Sequence, residues 1–257
     1  MATVRHYSAD GATLITNQDF GTLVSGVIEV DSTRRKFALE NIADRPLGEY
    51  PPFSSLLLTI QAVGDNDGAV FYYTATDPNG TLSKPWGPTD SAPDVTVSLD
   101  AGYWGSTGTK GVVVTALNAT GETVAGGERT FNITDLSQIA AVDWEQTPGA
   151  TSYRVYFTDT PGDYSAAKYV TVSPGATTTV DLDGIGTPGS PPSANTTGGA
   201  GPGYGTPPAI GSFSQVDKSI GALAIGQQWF YYAVVRVTPG ASAIGNRRAV
   251  RVLPREA

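Results

Sequence analysis

Between Ile139 and Phe157 the chain reads IAAVDWEQTPGATSYRVYF, and no other stretch limits the fold so tightly. Two runs rich in β-branched and aromatic residues flank Glu145-Gln146-Thr147-Pro148-Gly149-Ala150, where Pro and Gly supply turn dihedrals. The simplest local structure is a strand, a turn and a second strand. Alternation selects the buried faces. Val142 and Trp144 fall on one side of the first strand, with Asp143 and Glu145 opposite; Tyr153, Val155 and Phe157 share one side of the second, opposite Arg154 and Tyr156. A Trp and a Tyr that must both be sheltered from water by extended chain call for stacked sheets.

That order of a Trp strand, a Pro-Gly-Ala turn and a Tyr-x-Val strand resembles the second and third strands of the fibronectin type III family. The resemblance implies a β-sandwich and no chemistry, because that family is a scaffold for many unrelated tasks. The segment Val112 to Thr123, VVVTALNATGET, is similar to a hairpin near the end of such a domain, although here it precedes the Trp144 strand.

The rest of the composition agrees with strands. Of 257 residues, 31 are Gly and 18 are Pro, only 16% are charged, and no window keeps a helical period over three turns. The fold class expected is all-β, with two immunoglobulin-like sandwiches. Cys is absent, which excludes disulfides, thiolate metal sites and a Cys nucleophile. The N-terminus has no apolar run of the length a signal peptide needs and no later stretch approaches a membrane span, so the product is expected to be made and kept in a cytosol or to leave it by a route other than a cleaved signal. A net charge of −8 argues against nucleic acid as a partner. The excess is local: residues 88–190 hold twelve Asp and Glu against four Lys and Arg, while the flanking pieces balance.

Taken in order, residues 17–47 contain Phe20-Gly21, Gly26 and an alternating segment from Arg35 to Ile42 closing on a polar turn. These resemble the immunoglobulin-like family known from the ASPM, SPD-2 and hydin proteins, with Ala43 standing where that family commonly has Gly. Strands are expected at 56–63 and 69–76, then a Pro-rich linker at 84–93. Further strands are expected at 95–99, 110–118, 128–133, 167–172 and 177–182, then a second Pro/Gly-rich linker at 184–208. Alone, that second stretch lacks the apolar surface to offset its ordering entropy. Strands resume at 220–225, 229–237 and 249–253. Two arrangements fit: sandwiches in tandem, or a frame domain of residues 1–87 plus 209–257 with a fibronectin-like domain, 94–183, inserted into one of its loops. The bracketing linkers and the neutral combined charge of the two flanks favour insertion.

Few groups carry chemistry. His6 is the sole histidine and reads as a packed or solvated imidazole. Asp65/Asp67, Asp143/Glu145 and Asp181/Asp183 are each two apart, but they read as turn and strand-face residues; no downstream Glu completes a calcium loop after Asp65. No catalytic residue, cofactor or metal site is assigned. Candidate contacts are the loop aromatics Trp86, Tyr103, Trp104 and Tyr204, which suit a sugar platform or a subunit contact, and Arg247, Arg248, Arg251 and Arg255. The four arginines suit a protected sheet edge or a dock for an acidic neighbour, including the acidic middle of another copy.

The pairing of these two domain types with Thr187 to Thr197, TPGSPPSANTT, is similar to accessory proteins of tailed-bacteriophage virions. That resemblance implies a non-enzymatic structural or interaction protein of the tail, baseplate, neck or capsid, made in the host cytoplasm. It would be present in several symmetric copies against other virion proteins, docking by its frame domain and projecting the acidic sandwich. The alternative is a carbohydrate- or cell-surface-binding module with a host-surface glycan as partner.

Overall fold

The structure is a computed structural model that describes residues 3–9, 12–14, 30–31, 35–42, 53–62, 70–87, 91–199, 206–214, 218–223, 226–237 and 248–255. It is all-β. The strands are β1 (Thr3–Tyr7), β2 (Val30–Asp31), β3 (Arg35–Ile42), β4 (Phe53–Ala62), β5 (Val70–Thr76), β6 (Asp94–Leu99), β7 (Gly108–Leu117), β8 (Arg129–Ile133), β9 (Gln138–Asp143), β10 (Ser152–Thr158), β11 (Lys168–Val172), β12 (Thr179–Leu182), β13 (Thr187–Pro188), β14 (Lys218–Leu223), β15 (Gln228–Val237) and β16 (Arg248–Arg255). A single 3-10 turn, Ile210–Ser212, is the only helical element among the described residues, which therefore hold no helix long enough to cross a membrane.

Every ladder between these strands is antiparallel and joins members of one of two sets. In the outer set, β15 lies between β3 and β5, with β1 beside β3, and β4 lies between β14 and β16. The outer set thus pairs strands from the beginning of the chain with strands from its end. The middle set forms a five-stranded sheet, β13-β11-β10-β7-β8, and a three-stranded sheet, β12-β9-β6.

The middle set shows how the pattern becomes a core. Trp144 and Tyr153 are buried as alternation requires, and their rings meet edge to face at 5.1 Å. Yet β9 and β10 belong to different sheets, so the Thr147–Ala150 turn carries the chain across the core and does not close a hairpin. Gly149 takes φ 85°, a left-handed conformation costly for a side chain. Around this pair, Val112, Val114, Ala116, Phe131 and Val155 from the larger sheet interdigitate with Ala140, Val142 and Leu182 from the smaller one. Burial of each large side chain contributes about 1.5–3 kcal/mol relative to exposure.

The two sets meet at residues 77–87. Leu82, inside the stretch expected to belong to the outer domain, packs into the core of the middle set. Its N–H donates to Thr197 Oγ1 at 2.9 Å and its carbonyl accepts from Asn195 Nδ2 at 2.9 Å. Asn195 Oδ1 in turn accepts from Thr197 N and Oγ1, at 3.1 and 2.6 Å. Both residues are fully buried. Residues 184–199 are therefore held by the fold, whereas their composition alone suggests a flexible linker: buried amide and hydroxyl groups supply the ordering that apolar surface does not. On the outer side, Ser83 Oγ accepts from Gln228 N at 2.9 Å and Lys84 Nζ pairs with Glu40 at 2.9 Å.

Beside this seam lies a buried ion pair, Lys36 Nζ to Asp77 Oδ2 at 3.0 Å. The ammonium also donates to Thr81 Oγ1 and lies over the Phe230 and Tyr232 rings at 5.4 and 5.7 Å. Burial lowers the Lys36 pKa, with Asp77 opposing that trend. Burial likewise works against the Asp77 carboxylate, but donors from Thr81, Lys36 and Asn79 outweigh it and hold its pKa below the ordinary value.

Candidate functional site

The candidate contact residues separate sharply once folded. Trp86 is buried; its carbonyl accepts from Glu145 N at 2.8 Å. Trp104 is buried too, with its indole edge-on to Phe131 at 5.7 Å and Phe157 at 5.6 Å and its Nε1 donating to Gln138 O at 2.6 Å. Neither ring is open to a partner, because each is consumed by packing that a loop aromatic can reach only after the strands assemble. Tyr103 is exposed. Arg248, Arg251 and Arg255 lie along β16, in register with Ala62, Thr59 and Ser55 of β4. Tyr204 and Arg247 lie outside the described residues, as do Phe20, Gly21, Asp65 and Asp67.

Tyr103 does not stand alone. Among the described residues six large hydrophobic side chains are exposed, and four of them sit at one end of the middle set: Leu99 at 71%, Tyr103 at 67%, Ile185 at 57% and Leu136 at 47%. Ladder register fixes that end. β6 runs from Asp94, opposite Asp143, to Leu99, opposite Gln138, and β12 ends with Leu182 opposite Ala140. The Asp143 end continues into Glu145, whose N–H bonds the Trp86 carbonyl at the seam. The exposed cluster is thus at the opposite end of β6, about 17 Å along the strand.

Three loops build this tip, and each is tied to another. Asp100 N and Gly102 N both donate to Ser137 O at 3.0 Å, Trp104 N to Leu136 O at 3.3 Å, and Tyr103 N to Asp183 O at 2.6 Å. A Cβ on Gly102 would lie 1.6 Å from Gln138 O, so only glycine permits this approach. Buried Trp104 forms the floor: Gly184 passes so close that a Cβ there would lie 2.9 Å from Trp104 Cα. Carboxylates rim the apolar tip. Asp100, Asp135 and Asp183 each accept a hydrogen bond from their own loop, from Ala101 N, Ser137 N and Ile185 N respectively. The N–H and hydroxyl of Ser137 hold the Asp135 carboxyl below the usual range. Lys168 reaches the same region, its Nζ 3.4 Å from Gly184 O. Tyr103 carried a visible signal, an aromatic in a Gly-rich loop; Leu99, Leu136 and Ile185 carried none, since an aliphatic residue at a strand end is more often core.

Other polar side chains pair among themselves. Glu122 Oε1 accepts from Thr115 Oγ1 at 2.6 Å and Tyr156 OH at 2.8 Å, while Oε2 accepts from Arg154 at 2.5 Å. Burial, then the Glu122 carboxylate, pushes the Tyr156 hydroxyl up to about 12. Lys110 pairs with Asp159 at 2.6 Å. His6 Nδ1 lies 3.5 Å from Tyr231 OH, and burial lowers its pKa. Asp183 of the Asp181/Asp183 pair serves its own turn. No group of three or more His, Asp or Glu side chains is placed to hold a metal ion among the described residues.

Comparison with protein-family models, curated proteins and solved structures gives no match. What the tip offers is an ordered apolar surface with an acidic rim, three of its four exposed side chains being aliphatic.

Proposed function

We propose that the protein is a structural interaction component of a tailed-bacteriophage virion, a nested pair of β-sandwiches whose outer strands dock on the particle and whose acidic middle sandwich projects from it. The observation that carries this reading is the placement of Leu99, Tyr103, Leu136 and Ile185 on cross-bonded loops at the end of the middle set remote from the seam. Apolar groups that a soluble surface ordinarily avoids gathering are here gathered and held in shape, as a contact surface requires. The seam supports it. Buried Asn195 and Thr197 hold residues that an open Gly/Pro tether would leave free, which supports a projection in one direction. The resemblance of residues 187–197 to virion accessory proteins supplies the biological setting.

The test is the mass and stoichiometry of the native assembly. Particles purified from a producing culture are expected to contain the chain at a copy number that is a multiple of the symmetry of one virion part. A chain that is absent from purified particles overturns the reading.

A further inference from the structure

Asn79-Gly80 is the one Asn-Gly step in the sequence, and it sits in the turn Asp77-Pro78-Asn79-Gly80 that follows β5. Such a step is reactive by itself, because the glycine nitrogen has no side chain beside it to bar its approach to the Asn carboxamide carbon. Gly80 is exposed, and a Cβ built on it would meet nothing within 4 Å, so water reaches this peptide. The fold restrains the other reactant. Asn79 Nδ2 donates to Asp77 Oδ1 at 2.8 Å and to Tyr232 OH at 2.9 Å, and Asn79 Oδ1 accepts from Thr206 N at 3.1 Å. These partners come from the turn itself, from β15 and from the segment that brings the chain back from the middle set to the outer one. The same turn supplies Asp77 to the buried pair with Lys36, and Thr81, one residue beyond it, bonds that ammonium.

We propose that Asn79 is a site of spontaneous deamidation that the folded turn holds in check, and that its conversion permanently weakens the seam at residues 77–87. The Gly80 nitrogen attacks Asn79 Cγ; a C–N bond forms, the Cγ–Nδ2 bond breaks, and ammonia leaves with the proton that Gly80 N gives up. Water then opens the cyclic imide at either carbonyl to give aspartate or isoaspartate, so ammonia is exchanged for water and nothing is oxidised or reduced. Ring closure expels Nδ2, so both of its hydrogen bonds must be given up, and local opening of the turn is what allows this. The product does not fit back. Where an N–H donated to Asp77 at 2.8 Å a carboxylate now faces a carboxylate, Tyr232 OH loses this donor, and the isoaspartyl form adds a carbon to the main chain of the turn. The inference is independent of the virion reading. Its rival is an Asn-Gly step that converts at one rate whether the chain is folded or not.

Peptide mapping of the full chain by mass spectrometry decides between them. In mildly alkaline buffer the peptide containing Asn79 is expected to convert at least about tenfold more slowly in the folded protein than in the same protein unfolded in urea. Tyr232→Phe keeps the ring and removes one acceptor, and conversion in the folded state is expected to rise about fivefold, the equivalent of one hydrogen bond. Asn79→Asp stands in for the aspartate product. Its urea midpoint is expected to lie below that of the wild type at neutral pH, with the gap narrowing in acid as one of the two carboxylates is protonated. Equal rates in the folded and unfolded protein overturn the proposal, as does a step that stays unconverted in urea. A Tyr232→Phe variant that circular dichroism shows folded, yet converts no faster, overturns the restraint, and an unmoved midpoint in Asn79→Asp overturns the weakening of the seam. The comparison of folded with unfolded wild type needs no variant, and it decides the matter if Tyr232→Phe does not fold.

Discussion

Replacing Asn195 by Ala tests the seam where the two sets of strands meet. The Asn195 side chain makes three hydrogen bonds, to Leu82 O, Thr197 N and Thr197 Oγ1, at 2.9, 3.1 and 2.6 Å, and it is fully buried. Each such bond contributes about 1 kcal/mol net, and truncation leaves the Leu82 carbonyl and the Thr197 N–H without partners in a dry site. The expected loss is about 3 kcal/mol, a large part of the ~5–15 kcal/mol typical of a folded domain. Because the affected groups join segments far apart in sequence, the loss is expected first as local opening of residues 184–199, before global unfolding. Limited proteolysis of that segment should accelerate by about 100-fold, the equivalent of ~3 kcal/mol in an opening equilibrium, while urea titration reports the global share. Asn195→Asp sharpens the test: an ionised carboxylate retains the acceptor for Thr197 but turns charge toward the Leu82 carbonyl, so this variant should be worse than Ala at neutral pH and recover as acid protonates it. Cleavage within about twofold of wild type, with an unmoved urea midpoint, would refute the assignment of Asn195 as the clamp.

Lys36→Met is expected to cost about 3–5 kcal/mol in urea titration by stranding Asp77, and Lys36→Met combined with Asp77→Asn should regain most of it; equal losses in the single and double variants would show that the pair is not coupled. At the tip, Trp104→Ala should lose about 3–5 kcal/mol as its floor position empties, whereas Tyr103→Ser should stay within about 0.5 kcal/mol, and a reversed order would mean the two side chains are misplaced. Burial raises the hydroxyls of Tyr156 and Tyr232 from 10.0 to about 12. The folded state therefore holds these protons more tightly than the unfolded chain; their stabilisation is complete below pH 10 and disappears as pH rises through about 12, which thermal melts between pH 9 and 12 should record as a falling midpoint. A flat profile across that range would contradict the burial of both rings.

Alternation in the sequence picked out Val142, Trp144, Tyr153, Val155 and Phe157 as sheltered but missed Tyr156, which lies on the opposite side of β10 and is buried there against Glu122 and Tyr169; the order of strands and turns determined an all-β fold, because both are local consequences of a two-residue period and of Pro and Gly dihedrals. Strand positions also emerged close to their expected bounds; residues 229–237, for example, became β15, Gln228–Val237. Partnership did not emerge in this way. That β9 and β10 belong to opposite sheets, that Leu82 fills the core of the middle set, and that Asn195 and Thr197 bind its backbone are matters of tertiary packing, since a hydrogen-bonding amide reads the same in sequence whether it faces water or a buried carbonyl. The tip shows the limit most clearly. Trp104 and Tyr103 are neighbours of similar appearance, and only the Phe131 and Phe157 rings, brought by two other strands, bury one and leave the other exposed.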